Sequence, residues 1–207
     1  MVMSYTQLLE REYKGKLGPQ ADKFIAYAVD GALRMEALLR DLREYWSVNE
    51  QKVEKLASVD CNTVLDRALA YLEASIQESG AVVTHDPLPA VMAEELPLAM
   101  VFQNLIGNAI KYHRPSASPR VHLSAQRSEK GWRISVTDNG VGIPAEHLEH
   151  IFAPFKRLYG REYPGTGLGL AMCQKIIDRY QGRIWAESAD GKGSTFYFTL
   201  PARGSEA

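Results

Sequence analysis

The spacing of apolar residues changes near residue 50, and this change limits the possible folds more than any other part of the sequence. Upstream, apolar or small residues recur at alternating steps of four and three, the heptad spacing of helices that pack in bundles. They are Phe24, Ala28, Gly31, Met35, Leu38, Leu42 and Tyr45, flanked by Ile25, Ala32, Leu39 and Trp46. Downstream, helical stretches alternate with short segments of alternating apolar and polar residues, as in strands covered on one face. The sequence therefore predicts an α+β fold, with a helical segment followed by an α/β sandwich.

The helical segment is predicted to be an antiparallel hairpin that forms a bundle. Its second helix is expected from about Gln20 to about Val48, roughly 43 Å, and the helix before Gly15 covers only roughly 21 Å. The far end of the second helix, including Tyr45 and Trp46, is therefore expected to lack a partner within the chain. Either self-association covers it or the sequence is a fragment that lacks the start of the first helix. The fragment explanation is favoured, and the two are compatible.

Two domains are expected, at residues 1–49 and 57–203, joined by the polar stretch from Ser47 to Ala57. Helices are predicted at 62–77, 94–112 and 171–180, and strands at 81–84, 90–92, 120–126, 132–138, 182–187 and 193–200, the last two as a hairpin.

Composition excludes several classes of function. The 207 residues carry a net charge of -1, which gives no reason to expect nucleic acid or an anionic membrane as a partner. No apolar run approaches the roughly 20 residues of a membrane span, and the N-terminus lacks a signal-peptide pattern. The two cysteines, Cys61 and Cys173, are far apart, and Cys173 is expected to be a buried structural thiol. We therefore expect a cytoplasmic protein with no direct membrane contact from this segment.

Three short motifs carry the chemistry. Asn104, Asn108 and Lys111 share one face of a predicted helix, since they lie at i, i+4 and i+7. Amide oxygens are hard neutral ligands that suit Mg²⁺, and a lysine one turn on can reach a phosphate. A solvated polar face would be the better explanation for this helix alone. Together with the glycine-rich stretches downstream, however, the motif favours a binding site.

Those stretches are Asp138–Ile143 and Gly165–Leu170. Asp138 ends a strand, where a carboxylate can accept a hydrogen bond from an adenine amino group, although an ordinary turn is an equal alternative. Gly165–Leu170 leads into a helix and can place backbone N–H groups around an anion. It is not a Walker loop, because Gly-Lys-Ser/Thr is absent, and no strand directly precedes it as a dinucleotide-binding unit requires.

The segment between the glycine stretches is expected to form a mobile lid over residues 159–164, anchored by Phe152 and Phe155. Its cations, Lys156, Arg157 and Arg161, are candidate phosphate contacts. None of the five histidines has a metal-ligand spacing, and no catalytic triad can be assembled from the sequence.

Taken in this order, the stretches Asn104–Tyr112, Asp138–Ile143, Phe152–Arg157 and Gly165–Leu170 resemble the N, G1, F and G2 boxes of sensor histidine kinases. These kinases belong to the Bergerat-fold ATPases, and the resemblance covers about residues 57–203. Residues 13–35 resemble the dimerisation hairpin of phytochrome-type kinases. The resemblance implies a mixed, mostly antiparallel sheet, the cofactors ATP and Mg²⁺, a homodimer formed through the N-terminal helices, and a response regulator receiver domain as partner.

The resemblance also implies roles for individual residues. Asn104, Asn108 and Lys111 would be catalytic, with Asn108 as the Mg²⁺ ligand and Asn104 in support. Lys111 and Tyr112 would contact phosphate or ribose, and Asp138 would hold the adenine amino group. The remaining nucleotide contacts would be Gly140, Gly142, Ile143, Lys156, Arg157, Gly165, Thr166, Gly167, Leu168 and Gly169.

The sequence departs from the family in one respect. The family phosphorylates a histidine on the first hairpin helix that is followed by an acidic residue and, a few positions later, a proline. That motif is absent, so we expect the chain to be unable to phosphorylate itself.

Three alternatives remain. One is an ATP-hydrolysing relative such as gyrase or the heat-shock chaperones. Those carry a glutamate where this chain has Asn104, and an amide cannot act as a general base. Another is a nucleotide-binding dimerisation module without kinase activity. A related anti-sigma serine kinase is the third, and the upstream hairpin argues against it.

Overall fold

A computed structural model describes residues 1–50, 56–128, 131–158, 163 and 165–201, with the side chains of residues 49 and 50 left out. The helical segment contains α1 (Val2–Tyr13) and α2 (Pro19–Glu50). The α/β segment follows in the order β1 (Ala57–Asp60), α3 (Cys61–Ser79), β2 (Val82–His85), β3 (Ala90–Ala93), α4 (Glu95–Lys111), β4 (Arg120–Ser128), β5 (Gly131–Asp138), α5 (Gly169–Arg179), β6 (Ile184–Ser188) and β7 (Ser194–Pro201). A 3₁₀ turn lies at Ala145–His147.

Helices α1 and α2 form the predicted antiparallel hairpin. Gly15 and Gly18 adopt φ of +79° and +88° in the turn, a backbone region that glycine occupies without a steric cost. The N–H of Gly15 donates to the carboxylate of Asp22 at 2.9 Å, which fixes the chain as it enters α2. The apolar residues of the heptad repeat and those that flank it form a stripe along α2, called here the heptad stripe. Most of this stripe is exposed, including Phe24 at 61% and Leu39 at 68%. The hairpin therefore presents an apolar surface that the described residues do not cover.

A five-stranded sheet in the order β2-β4-β5-β7-β6 forms the base of the α/β segment. Of the four pairings between these described strands, only that of β2 with β4 is parallel, which confirms the predicted mixed sheet. Apolar side chains of α3, α4 and α5 pack against its inner face, where the rings of Phe102 and Phe198 meet edge to face with centroids 5.9 Å apart. Cys173 is fully buried in this core, and burial raises the pKa of its thiol. It is a structural thiol, as predicted.

A second, two-stranded sheet pairs β1 with β3 in antiparallel register. Strand β1 was not predicted from the sequence, because residues 57–60 follow directly on the expected linker. Three of the four residues of β1 are exposed, so the strand lacks the alternating pattern of a covered strand.

The last turns of α2 contact α5, which corrects one expectation. Tyr45 packs against the core, its carbonyl oxygen accepts a hydrogen bond from Lys175 Nζ at 2.9 Å, and that ammonium group lies 3.8 Å from the ring centroid. Tyr45 therefore has a partner within the chain, whereas Trp46 remains 59% exposed. In the described ranges, no helix combines the length and hydropathy that crossing a bilayer requires.

Candidate functional site

Helix α4 turns Asn104, Asn108 and Lys111 toward the start of α5. The side-chain amide of Asn104 donates to the carbonyl of Met100 at 3.0 Å. Its oxygen lies against the backbone of Gly169, because a Cβ added there would sit 2.4 Å from Asn104 Oδ1. Asn104 thus sets how closely α5 approaches α4. Asn108 lines the adjoining cleft.

Lys111 lies in a half-buried position beside Tyr112. Its Nζ donates to the Tyr112 hydroxyl at 2.8 Å and lies 4.4 Å from the centroid of that ring. Burial, and after it the positive charge of Arg157, lowers the pKa of Lys111 to about 8. A Cβ on Gly165 would sit 2.8 Å from Lys111 Nζ, so the lack of a side chain at this residue leaves room for the ammonium group. An anion bound here would favour the charged form of Lys111.

Asp138, at the end of β5, is held by backbone N–H groups. Gly140 and Ser194 donate to Asp138 Oδ1 at 2.7 and 3.1 Å. Burial raises the pKa of Asp138, and these two hydrogen bonds act in the opposite direction. Because both bonds use Oδ1 and the residue lines the cleft, Oδ2 is the oxygen left to accept a hydrogen bond from a ligand.

The G1 loop, residues 138–143, rests on the turn between β6 and β7. The N–H of Gly191 donates to the Val141 carbonyl at 2.7 Å, and the N–H of Ile143 donates to Ser188 Oγ at 2.8 Å. Gly142 adopts φ of +79°, and a Cβ there would lie 2.1 Å from the carbonyl oxygen of Ala189. Only glycine fits this position. Gly140 is also confined, since its Cβ would lie 2.5 Å from the Tyr112 carbonyl oxygen.

The G2 stretch, residues 165–170, joins the segment that follows β5 to the start of α5. The Gly167 carbonyl accepts the N–H of Phe155 at 2.9 Å, and Leu168 is buried. Phe152 packs against the core as expected. Phe155 does not anchor the segment by burial, since its side chain is 56% exposed at a backbone φ of +62°. Its main chain makes the link to Gly167 instead.

The candidate cations lie on the same segment. Lys156 and Arg157 are exposed and line the cleft, and Arg157 donates to the carbonyl of Tyr163 at 2.6 Å. Tyr163 stacks at a tilt on Tyr112, with ring centroids 4.9 Å apart. Arg161 and the rest of the expected lid, apart from Tyr163, lie outside the described residues.

Two adjoining cavities that open to solvent bring these residues together, with about 600 and 590 Å³ of space when the open solvent at their mouths is included. Both are lined by Asn108, Tyr112, Ile151, Lys156 and Leu170. The first adds Asp138 and apolar side chains, so it suits a flat, mainly apolar group with one amino donor. The second adds Lys111 and the glycines of the G2 stretch, so it suits an anion. The described residues contain no group of three or more His, Cys, Asp or Glu that could hold a metal ion.

Some lining residues were not found from the sequence. Ile151, Ser194 and Phe196 line the first cavity, and Asp41 of α2 lines the second. Ser194 and Phe196 are buried residues of β7. The alternation along that strand predicts that they are buried, but it does not predict that they lie near the G1 loop. Asp41 is an ordinary charged residue in its helix, and no local pattern distinguishes it.

Comparison with known proteins adds independent information. Residues 93–204 match the model of a family described as histidine kinase-, DNA gyrase B-, and HSP90-like ATPase. Cyanobacterial phytochrome A of Nostoc sp. (strain PCC 7120) is 47% identical over 207 residues, which cover 99% of this chain and 27% of that protein. The chain thus spans about a quarter of the length of this relative.

Solved structures show the same fold. The catalytic domain of histidine kinase ThkA aligns with a TM-score of 0.61 and 28% identity, covering 72% of this chain and 96% of that one. Full-length ShkA in complex with AMPPNP aligns with a TM-score of 0.69 and 26% identity, covering 97% of this chain and 43% of that one.

Proposed function

Because the chain belongs to the family of histidine kinase-, DNA gyrase B-, and HSP90-like ATPases and carries the ATP-binding catalytic domain of sensor histidine kinases, we propose that it supplies the ATP site from which a γ-phosphoryl group is transferred to a protein histidine. The observation that carries this proposal is the pair of joined cavities. One offers a carboxylate in an apolar wall and the other offers lysine and glycine backbone, and Asn108 lies where they meet.

The adenine end of the nucleotide is held by Asp138. Its Oδ2 accepts the exocyclic amino group, while Gly140 and Ser194 fix the carboxylate through Oδ1. Ile143 closes the apolar wall, and Gly142 lets the loop lie against the β6–β7 turn. Guanine presents a carbonyl at the corresponding position and would face this carboxylate with an acceptor, so the site selects adenine.

The phosphate end lies between α4 and the G2 stretch. Lys111 provides a positive charge that a phosphate would stabilise, and Lys156, which lines both cavities, adds charge from the facing segment. Arg157 lines only the first cavity and adds its charge from there. Gly165, Gly167 and Gly169 allow the phosphates to approach the backbone, with Thr166 and Leu168 completing the stretch. Tyr112 contacts the ribose or a phosphate from the other side.

The donor set suits Mg²⁺. The amide oxygen of Asn108 is a hard, neutral ligand on a side chain that lines both cavities, which leaves the remaining positions to phosphate oxygens and water. Asn104 supports the Mg²⁺ site only indirectly, because the side-chain oxygen of Asn104 is packed against Gly169. Bound Mg²⁺ would supply neutralisation of the phosphate charge. Within the site, Asn108 and Lys111 position the γ-phosphate for attack.

Transfer forms a bond between a histidine nitrogen and the γ-phosphorus as the bond from that phosphorus to the bridging oxygen breaks, and ADP leaves. A neutral imidazole is itself nucleophilic, so no strong base is required from the domain. Asn104 occupies the position at which hydrolysing relatives carry a glutamate, which disfavours attack by water.

The finer assignments belong to the same proposal. Residues 1–49 act as a dimerisation segment and residues 57–203 as the nucleotide domain. The exposed stripe on α2, with Phe24 and Leu39, is covered by a second copy of the chain in a homodimer. The phosphohistidine passes its phosphate to the receiver domain of a response regulator, in the cytoplasm.

Transfer to a supplied acceptor tests the proposal. The chain is incubated with γ-labelled ATP, Mg²⁺ and a separate dimerisation helix that contains a histidine, beside an Asn108→Ala variant. We expect acid-labile label on the helix with the parent chain and a loss on the order of tenfold or more with the variant, since an amide ligand to the metal is removed. Nucleotide binding without any transfer to the supplied helix would instead support the second candidate, a nucleotide-binding dimerisation module.

A further inference from the structure

Helix α2 reaches into the phosphate cavity through one side chain. Asp41 lines that cavity together with Asn108, Lys111 and Thr166. Thr166, in the G2 stretch, donates from its hydroxyl to Asp41 Oδ2 at 2.5 Å, a short bond to a charged acceptor. A carboxylate from the helical segment therefore borders the space in which the proposed function puts phosphate.

This bond is the first of three polar contacts that align α2 with the G2 stretch and α5. Lys175 donates to the Tyr45 carbonyl at 2.9 Å, and Arg179 donates to the Val48 carbonyl at 3.2 Å. The contact residues follow the same order in both helices, Tyr45 then Val48 in α2 and Lys175 then Arg179 in α5. The last two turns of α2 therefore run parallel to α5. Of the three, the contact of Asp41 is the one at the phosphate end, where α5 begins.

The other two contacts are compatible with a bound nucleotide, because Lys175 and Arg179 do not line either cavity. Asp41 differs, since its negative charge and the negative charges of a phosphate chain would share one small space. Two like charges a few ångströms apart in a partly desolvated pocket repel strongly, and the repulsion grows with each phosphate. Adenosine has no such charge. A triphosphate also offers oxygen acceptors that can take over the hydroxyl hydrogen of Thr166.

We propose that Asp41 is a specificity-determining residue through which α2 senses the number of phosphates on the bound nucleotide. The inference rests on the proposed function, because it needs adenine in the first cavity and phosphates in the second. The Asp41–Thr166 contact is kept with adenosine and given up with a triphosphate. By linkage, docking of α2 at the G2 stretch weakens triphosphate binding by the same factor as the triphosphate weakens docking.

Calorimetric titration of adenosine, ADP and AMPPNP, each with Mg²⁺, tests this inference in the parent chain and two variants. Asp41→Asn keeps an acceptor for Thr166 but removes the charge, and Asp41→Ala removes both. Glu44→Ala is the matched control, since Glu44 is an exposed acid one turn further along α2 that does not line the cavities.

Both Asp41 variants should bind AMPPNP on the order of tenfold more tightly and ADP by a smaller factor, as expected for repulsion in a partly screened pocket. Adenosine affinity should stay within about twofold of the parent's, and Glu44→Ala should change none of the three affinities. Equal changes for adenosine and AMPPNP would overturn the inference. Weaker AMPPNP binding in the Asp41 variants would overturn it as well, because the carboxylate would then assist the metal–phosphate group.

The outcomes also separate the inference from its premise. If the parent chain binds none of the three ligands, the proposed function fails and the inference fails with it. If the parent binds adenosine and AMPPNP normally but the Asp41 variants show no dependence on phosphate number, only the inference fails.

Discussion

Replacement of Asp138 by asparagine tests the adenine end of the site with little change in shape. The amide oxygen of the introduced side chain can still accept the N–H groups of Gly140 and Ser194, which now bond to Asp138 Oδ1 at 2.7 and 3.1 Å. The second position then becomes an NH₂ donor, and it faces the donating amino group of adenine. Asp138→Asn therefore exchanges a charged acceptor for a donor where the ligand needs an acceptor.

The size of the effect follows from the bond that is lost. A hydrogen bond to a charged group is worth about 1.5–3 kcal/mol. Since about 1.4 kcal/mol corresponds to a tenfold change in affinity, AMPPNP binding should weaken about 10- to 150-fold. Thermal stability should change little, because the two backbone bonds that hold the G1 loop are retained.

Calorimetry with AMPPNP and with the corresponding guanosine analogue provides the assay. The discrimination between the two bases should narrow, since asparagine can donate to the guanine carbonyl. Asp190→Asn is the matched control, because Asp190 is exposed in the β6–β7 turn beneath the same loop and does not line the cleft. An Asp138→Asn variant that binds AMPPNP within about twofold of the parent would refute the adenine assignment.

Three other measurements probe the G1 loop, the half-buried Lys111 and the phosphate acceptor. Gly142→Ala should lower AMPPNP affinity and the melting temperature by more than Gly191→Ala does. Both glycines have positive φ (+79° and +70°), but only at Gly142 would a Cβ collide, 2.1 Å from the Ala189 oxygen. Calorimetry and thermal unfolding of both variants measure the difference. AMPPNP affinity should fall as pH rises through about 8, because Lys111 loses its proton there and phosphate favours its charged form, and Lys111→Met should flatten this part of the pH profile. Incubation with γ-labelled ATP should leave no acid-labile label on the chain alone, since the acceptor motif is absent.

Different results would contradict these expectations. If Gly142→Ala and Gly191→Ala lose equal amounts of AMPPNP affinity and melting temperature, backbone strain alone explains the need for glycine at residue 142, without the close contact to the Ala189 oxygen. A pH profile that is unchanged by Lys111→Met would remove that lysine from phosphate binding. Acid-labile label on the isolated chain would show that one of its own histidines is an acceptor.

Much of the fold could be predicted because its elements carry strong local patterns. The heptad stripe predicted α2, and alternation predicted β4, β5 and β7 to within a few residues. The two glycine-rich stretches were recognisable because glycine is needed where a side chain would collide, as at Gly140 and Gly142. In these places the local sequence and the tertiary structure impose the same requirement.

The remainder depends on contacts between distant parts of the chain. Thr166 and Asp41 are 125 residues apart, and Ile143 and Ser188 are 45 apart, so neither pairing leaves a local pattern. Tyr45 was expected to be uncovered because a heptad describes one helix and not the domain that folds back on it. The strand β1 escaped prediction because it is short, exposed and defined by its partner β3.

A crystal structure of the chain with AMPPNP, in which Mn²⁺ replaces Mg²⁺, would show whether one nucleotide occupies both cavities. We expect the adenine amino group within hydrogen-bonding distance of Asp138 Oδ2, the phosphates between Lys111 and the G2 stretch, and an anomalous peak beside Asn108. Nucleotide bound elsewhere, or a metal ion that makes no contact with Asn108, would show that the proposed site is wrong.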